Sequence, residues 1–323
     1  IGWLENFLAD FKNTVIVVSH DRHFLDMVCT HMVDIDFKKI SIYTGNYTFW
    51  YETSQLLMKQ RGDKNKKTET KRAELMDFIA RFSANASKSK QATSRKKALE
   101  KLNIDEMQAS TRRYPGIFFK QNREAGDQIL DVVNLSYELE GKPLFSKVSF
   151  TMNRGDKITV VSKNQLAVTA FLRMLAGELV SKTGDVKWGI TITKSYIPND
   201  NSEYFNKDLS LIDWLRQYST EKDETFIRGF LGRMLFSGEE SLKNCKVLSG
   251  GEKVRCMISK TMLEEANFLI LDEPTNHLDL ESITSINNGL IDFQGSMIFT
   301  SHDHQFTHTI ANRVIELTPN GIL

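Results

Sequence analysis

The sequence predicts an α/β protein: a parallel sheet of short buried strands carries polar residues to its carboxyl edge, and an α-helical hairpin leads into it. Three observations point there. Phe268-Leu269-Ile270-Leu271 and Met297-Ile298-Phe299-Thr300 are continuous apolar runs, as in strands covered on both faces, and they deliver Asp272-Glu273 and His302 respectively. Ser249-Gly250-Gly251-Glu252 stands directly before a run in which Val254, Met257, Ile258, Met262 and Leu263 recur at helical spacing. Between residues 50 and 113 the chain is basic, poor in apolar residues, and free of glycine and proline apart from Gly62, which reads as two long helices turning near residues 84–89.

Composition bounds the rest. At 323 residues there is room for more than one domain, and 41% hydrophobic with 26% charged residues is ordinary for a globular protein. No apolar run approaches the roughly 20 residues that span a bilayer, so no membrane partner is expected. Cys29, Cys245 and Cys256 are odd in number and lack metal-ligand spacing, which points to reduced thiols and a cytoplasmic location.

Residues 1–49 read as the tail of a domain. Trp3, Leu4, Phe7 and Leu8 mark a helical face, and Val15-Ile16-Val17-Val18 reads as a buried strand ending in Ser19-His20-Asp21. The segment VVSHDRHFL there returns as FTSHDHQFT at 299–307, a repeat specific enough to predict two copies of one kind of domain. The first copy enters just before His20, so the chain is expected to be a fragment. Met32 to Ile42 read as short closing strands, and Gly45-Asn46-Tyr47 as the turn out.

Residues 50–125 form a basic α-helical linker and connection. Between Lys59 and Arg113 sixteen basic residues oppose seven acidic ones, which leaves −8 for the remainder of a chain of net charge +1. Lys88, Lys90, Arg95, Lys96 and Lys97 cluster at the turn. A solvated hairpin would carry such charges, but cations gathered at a tip beside an acidic remainder favour a polyanion.

From residue 126 to 323 a fresh domain follows. Ile129 to Tyr137 and Phe145 to Met152 read as strands, and Lys157 to Val161 as a buried one. The next eight residues, Ser162-Lys163-Asn164-Gln165-Leu166-Ala167-Val168-Thr169, fall in register with G-x-x-x-x-G-K-[ST], a loop whose glycines let amides wrap phosphates and whose lysine neutralises them. Most of that chemistry is missing. Ser162, Gln165 and Ala167 stand at glycine positions, and Val168 replaces the lysine, which forfeits contacts worth about 1.5–3 kcal/mol each. Thr169 remains as a candidate Mg²⁺ ligand, and Lys163 as a candidate substitute cation. Leu209 to Glu240 read as a helical subdomain with Phe226, Ile227, Phe230 and Leu231 as core, and with Gly229, Gly232 and Gly238 near turns.

At the carboxyl edge, Asp272 and Glu273 suit one Mg²⁺ ligand and one group that orients or deprotonates water. The amides of Ser249, Gly250 and Gly251 at a helix start make an anion site.

The run LSGGEK, FLILDEPTNHLD and FTSHD in that order resembles the signature loop, the Walker B strand with its D-loop, and the switch histidine of ATP-binding-cassette (ABC) ATPases. The resemblance implies an ABC-type P-loop NTPase domain with its helical subdomain, preceded by the hairpin linker and the tail of a first ABC domain. It further implies ATP and Mg²⁺ as cofactors, Glu273 and His302 as catalytic, Asp272 and Thr169 at the metal, and Tyr137, residues 162–169, Asn199, residues 249–252 and Asp279 around nucleotide. His20 would be the first domain's switch histidine. Tyr137 stands where such proteins stack an aromatic on adenine, and it reads equally well as an ordinary strand aromatic. Asn199 or its neighbour stands where a glutamine is usual.

The basic linker, preceded by Gly45-Asn46-Tyr47 and carrying QATSRKKAL, resembles the ABC-F proteins, in which it reaches toward tRNA on the ribosome. The implied partners are the ribosome (tRNA and rRNA) and, within one chain, the first ABC domain. Paired head to tail, the signature at Ser249 and Gly250 would cap ATP held by the first domain, while Glu273 serves the eroded loop. The alternatives are the ATP-binding subunit of an ABC membrane transporter, and a non-catalytic module in which ATP only clamps a shape.

Overall fold

The computed structural model describes residues 2–36, 39–82, 89–100, 112–181 and 183–322, which fall into two compact units, residues 1–112 and 113–323.

In the first unit, α1 (Gly2–Ala9) and α2 (Arg22–Val28) precede a hairpin of β1 (His31–Asp36) and β2 (Lys39–Thr44) and two helices, α3 (Tyr47–Phe82) and α4 (Ser89–Glu100). Phe24, Leu25, Tyr47, Trp50 and Leu75 are its buried apolar side chains. Arg112 ties this core together, its guanidinium 4.7 Å above the Trp50 ring and 2.5 Å from Asp34. α3 has 36 residues, about 54 Å at 1.5 Å per residue. It packs against α4 through the Arg95 guanidinium, 3.9 Å from the Phe78 ring centre.

One expectation fails here. Val15 to Val18 is not a strand, and Ile16 and Val18 are 90% and 93% exposed. A strand is defined by its pairing, and among the described residues of this unit β1 and β2 pair only with each other, so the segment is joined to neither.

The second unit layers two sheets and a set of helices. β3 (Leu130–Leu139), β4 (Lys142–Met152) and β6 (Thr183–Trp188) form an antiparallel sheet in the order β4-β3-β6. β5 (Lys157–Val161) leads into α5 (Gln165–Ala176), and β7 (Lys194–Ile197) into the helical subdomain of α6 (Leu211–Arg216) and α7 (Glu224–Arg233). After α8 (Gly250–Glu264) come β8 (Phe268–Asp272), α9 (Leu280–Asp292), β9 (Ser296–Thr300), α10 (His304–Ile310), β10 (Arg313–Thr318) and β11 (Gly321–Ile322). The larger sheet runs β11-β10-β5-β9-β8-β7, parallel except for β11. Every residue of β8 and β9 is buried, as their unbroken apolar runs require.

Two cores hold these layers. One joins the sheets around α5, with Phe171 edge-on to Phe145 at 5.8 Å; the other packs α6, α7, α8 and α9 around Trp214, Leu231, Met257 and Phe299. In the subdomain Ile227, Phe230 and Leu231 are buried, but Phe226 is 43% exposed because it lies on α7's outer face. Gly229 and Gly232 lie inside α7, whereas Gly238, at φ +56°, does occupy a turn.

Candidate nucleotide-binding site

The parallel sheet brings Asp272 to the end of β8 beside Thr300 at the end of β9. Glu273 follows in a left-handed conformation (φ +52°), a position that costs a non-glycine residue about 1–2 kcal/mol. That backbone turn aims the Glu273 carboxylate at the 300–302 segment. Oε2 accepts the His302 N–H at 3.1 Å, the His302 Nε2 stands 3.4 Å from Oε1, and the Thr300 hydroxyl donates to Oε1 at 3.4 Å. The Glu273 side chain is 1% exposed and the His302 ring 76%, so a carboxylate sealed from water is reached through an open histidine.

Burial pushes the Glu273 carboxyl above its ordinary range, against the opposing pull of His302 and Thr300. Burial likewise raises Asp272, to about 6; the Thr169 hydroxyl and the Asn199 N–H hold it down and the Glu273 charge pushes it further up. Both Asp272 oxygens are buried without a well-formed hydrogen bond. Orphaned carboxylate oxygens beside a threonine hydroxyl fit a divalent cation. Among the described residues no three His, Cys, Asp or Glu side chains converge on one point. Mg²⁺ at Asp272 and Thr169 would therefore complete its shell with phosphate and water oxygens.

The loop after β5 is held by local hydrogen bonds. Ser162 donates to the Leu317 carbonyl (2.7 Å) and accepts from the Asn164 N–H (3.2 Å). Asn164 caps α5, its side chain accepting the Leu166 N–H at 3.1 Å and its carbonyl the Ala167 N–H at 3.0 Å. α5 thus begins at Gln165, only residues 162–164 remain loop, and none of the eight residues has a positive φ. The Leu166 and Ala167 amides are both engaged by this cap. Val168 does more than lack the lysine's charge: with Ala167 it is 1% exposed in the core around Phe171. Lys163 and Leu166 are exposed, and Gln165 is half-buried.

Ser249 caps α8 reciprocally with Glu252: its hydroxyl accepts the Glu252 N–H (3.4 Å), and Glu252 Oε2 accepts the Ser249 N–H (2.8 Å). Burial pushes the Glu252 carboxyl up, but the Ser249 bonds and the Lys243 ammonium at 2.9 Å outweigh it and hold it below its usual range.

Residues 274–279 join these parts. The Thr275 and Ser301 hydroxyls are 2.9 Å apart, Asn276 Nδ2 donates to Asn199 Oδ1 at 3.3 Å, and His277 (φ +63°) lies against Gly250 and Gly251. Asp279 accepts the Ser282 N–H at 2.8 Å as the cap of α9. Sequence reasoning missed the contacts of Thr275, Asn276 and His277, which join loops far apart in the chain. It also missed a cleft of about 650 Å³ that Thr169 and Asn199 share with Arg173, Tyr196 and Tyr204. Tyr196 gave no signal because it reads as one more apolar strand residue.

Tyr137 packs on Phe145 (6.3 Å) within the antiparallel sheet, the contact of a strand aromatic. His20 is exposed in the first unit, and its surroundings repeat those of His302. In both copies the serine accepts the aspartate N–H (Ser19 from Asp21, Ser301 from Asp303, 3.1 Å each), and the aspartate caps a helix whose Phe24 or Phe306 is buried. Arg95, Lys96 and Lys97 lie exposed on α4; Lys90 belongs to the same helix, and Lys88 lies outside the described residues.

Family models described as "ABC transporter" match residues 33–119 and 145–276. The uncharacterized ABC transporter ATP-binding protein YkpA of Bacillus subtilis is 61% identical over 325 residues, covering 100% of this chain and 60% of its own length. The ATP-binding protein Uup-like of Haemophilus influenzae is 30% identical over 96% of this chain and 68% of its own. ABC transporter F family member 5 of Arabidopsis thaliana is 30% identical over 98% of this chain and 46% of its own. The chain therefore spans less than two thirds of the length of YkpA and of the Arabidopsis protein. By these matches and by its fold, it belongs to the ATP-binding-cassette family of ATP-binding proteins.

Proposed function

We propose that this chain is part of a twin-cassette, ABC-F type ATPase that works on the ribosome in the cytoplasm, with its basic hairpin directed at tRNA and rRNA. The observation that carries this reading is the pair of like-folded Ser-His-Asp turns, at 19–21 and 301–303, with a strongly basic hairpin between them in one chain. A single polypeptide with two cassettes needs no second gene product to close on ATP, and a cationic helix tip is suited to phosphate backbones.

ATP held in the first cassette would be capped by Ser249, Gly250 and Gly251. In the other site Glu273 would orient the attacking water, with His302 at the open edge of the carboxylate, and Asp272 and Thr169 would hold Mg²⁺, which would supply charge neutralisation to the phosphates. Val168 in the core and the capped loop make this second site the weaker one. Closure and opening of the cassettes would move the hairpin toward and away from RNA.

The description shared by the two matching family models, ABC transporter, favours a second reading, an ATP-binding subunit of a membrane transporter. Among the described residues no helix is long and apolar enough to cross a membrane. Co-sedimentation decides between them: the full-length protein with a non-hydrolysable ATP analogue should pellet with ribosomes and not with membrane vesicles. The reverse distribution would establish the transporter reading.

A further inference from the structure

We propose that His277 is a positioning residue that ties the signature glycines to the Glu273–His302 site of the same cassette. The inference rests on the division of labour above, in which those two elements serve different ATP sites.

One residue imposes both glycines. A Cβ built on Gly250 would lie 3.0, 3.3 and 3.4 Å from Cγ, Cβ and Cδ2 of His277, so every one of its three nearest atoms belongs to that side chain. A Cβ on Gly251 would lie 2.6 Å from the His277 carbonyl oxygen. Ring and backbone of one residue thus set how closely the start of α8 approaches the 274–279 segment. His277 is in turn held from the far side. Its φ of +63° and the +52° of Glu273 are left-handed positions that bracket Pro274-Thr275-Asn276. Within that bracket the Asn276 N–H donates to the Glu273 carbonyl at 3.1 Å, and Thr275 meets Ser301 at 2.9 Å, next to His302. A short, strained segment pinned at Glu273, at Ser301 and at the glycines has few ways to move one end alone. A shift at the Glu273–His302 pair therefore reaches the amides of Gly250 and Gly251, and through them the ATP of the other site.

The geometry makes a suppressor test possible. Amide hydrogen exchange of peptides covering Ser249–Lys253 is measured in this chain for Gly250→Ala, Gly251→Ala, His277→Gly and both double variants, with thermal unfolding as the check on folding. Gly250→Ala should speed exchange there, and His277→Gly should restore it, because the colliding atoms are gone. Gly251→Ala should not be rescued, because its collision is with a carbonyl that glycine keeps. Thr275→Val, which loosens the segment at Ser301, should speed exchange at Ser249–Lys253 at least about threefold in the wild type and clearly less with His277→Gly present, where only the backbone contact to Gly251 remains. Equal rescue of both glycine variants, no rescue of either, or a Thr275→Val effect undiminished by His277→Gly would overturn the proposal. None of these measurements needs nucleotide, so a separate finding that the full-length protein binds no ATP would remove the functional reading while leaving this coupling to stand or fall alone.

Discussion

The His302 ring nitrogen Nε2 stands 3.4 Å from Glu273 Oε1 while the same residue's N–H donates to Oε2, so one histidine engages both oxygens of a carboxylate that is almost wholly buried. Beside this pair Asp272 carries a raised pKa of about 6 against an unfolded value near 3.9. A raised carboxylate favours the folded state when protonated. The stability it contributes is complete below about pH 4 and is lost as pH rises through 6. In urea unfolding without nucleotide the wild type should therefore lose up to about 2–3 kcal/mol relative to Asp272→Asn between pH 4 and pH 7. Identical pH profiles for both proteins would contradict the assignment.

Replacing Val168 with lysine should not restore a phosphate-binding loop. The side chain points into the core, so Val168→Lys should destabilise the fold by roughly 3 kcal/mol or more, measured by denaturant titration, with no gain in fluorescent-ATP binding. A variant that binds ATP more tightly at unchanged stability would show that the loop can reopen.

In the full-length protein, Gly250→Asp places a carboxylate where the other site's phosphate is expected and should abolish most steady-state ATPase activity. Glu273→Gln, which on the proposed reading serves the site of residues 162–169, should cost comparatively little. Equal large losses in a phosphate-release assay would mean that the second site still hydrolyses ATP.

Changing Arg95, Lys96 and Lys97 together to glutamate should weaken ribosome binding and flatten its salt dependence by about 2–3 in the log–log slope. Arg95→Ala alone should also loosen the hairpin by about 0.5–1 kcal/mol, because that guanidinium stacks on Phe78. Binding that is unchanged across a salt titration would return the cluster to ordinary solvated surface.

What the sequence disclosed and what it hid divides along one physical line. β5, β8, β9 and the start of α8 were legible because burial on both faces and helical spacing are written in adjacent residues. Features that depend on distant partners were not. Val15 to Val18 has the composition of a strand but pairs with no strand among the described residues. Residues 165–169 are helix behind an asparagine cap, and composition alone cannot show that Val168 turns inward. The left-handed Glu273 and His277 break the usual preference for glycine, so no residue type announces them.

The uncovered apolar face of the first unit bears on how the chain behaves in a tube. Val33 and Ile35 pair with Ile42 and Ile40 on one side of the β1–β2 hairpin, all between 58% and 71% exposed, and Ile16 and Val18 are more exposed still. β-branched side chains beside an open strand edge are a template for association between copies. Association between copies should rise with protein concentration and with added sulfate, which strengthens apolar contact, and aspartates introduced at Ile35 and Ile40 should reduce it.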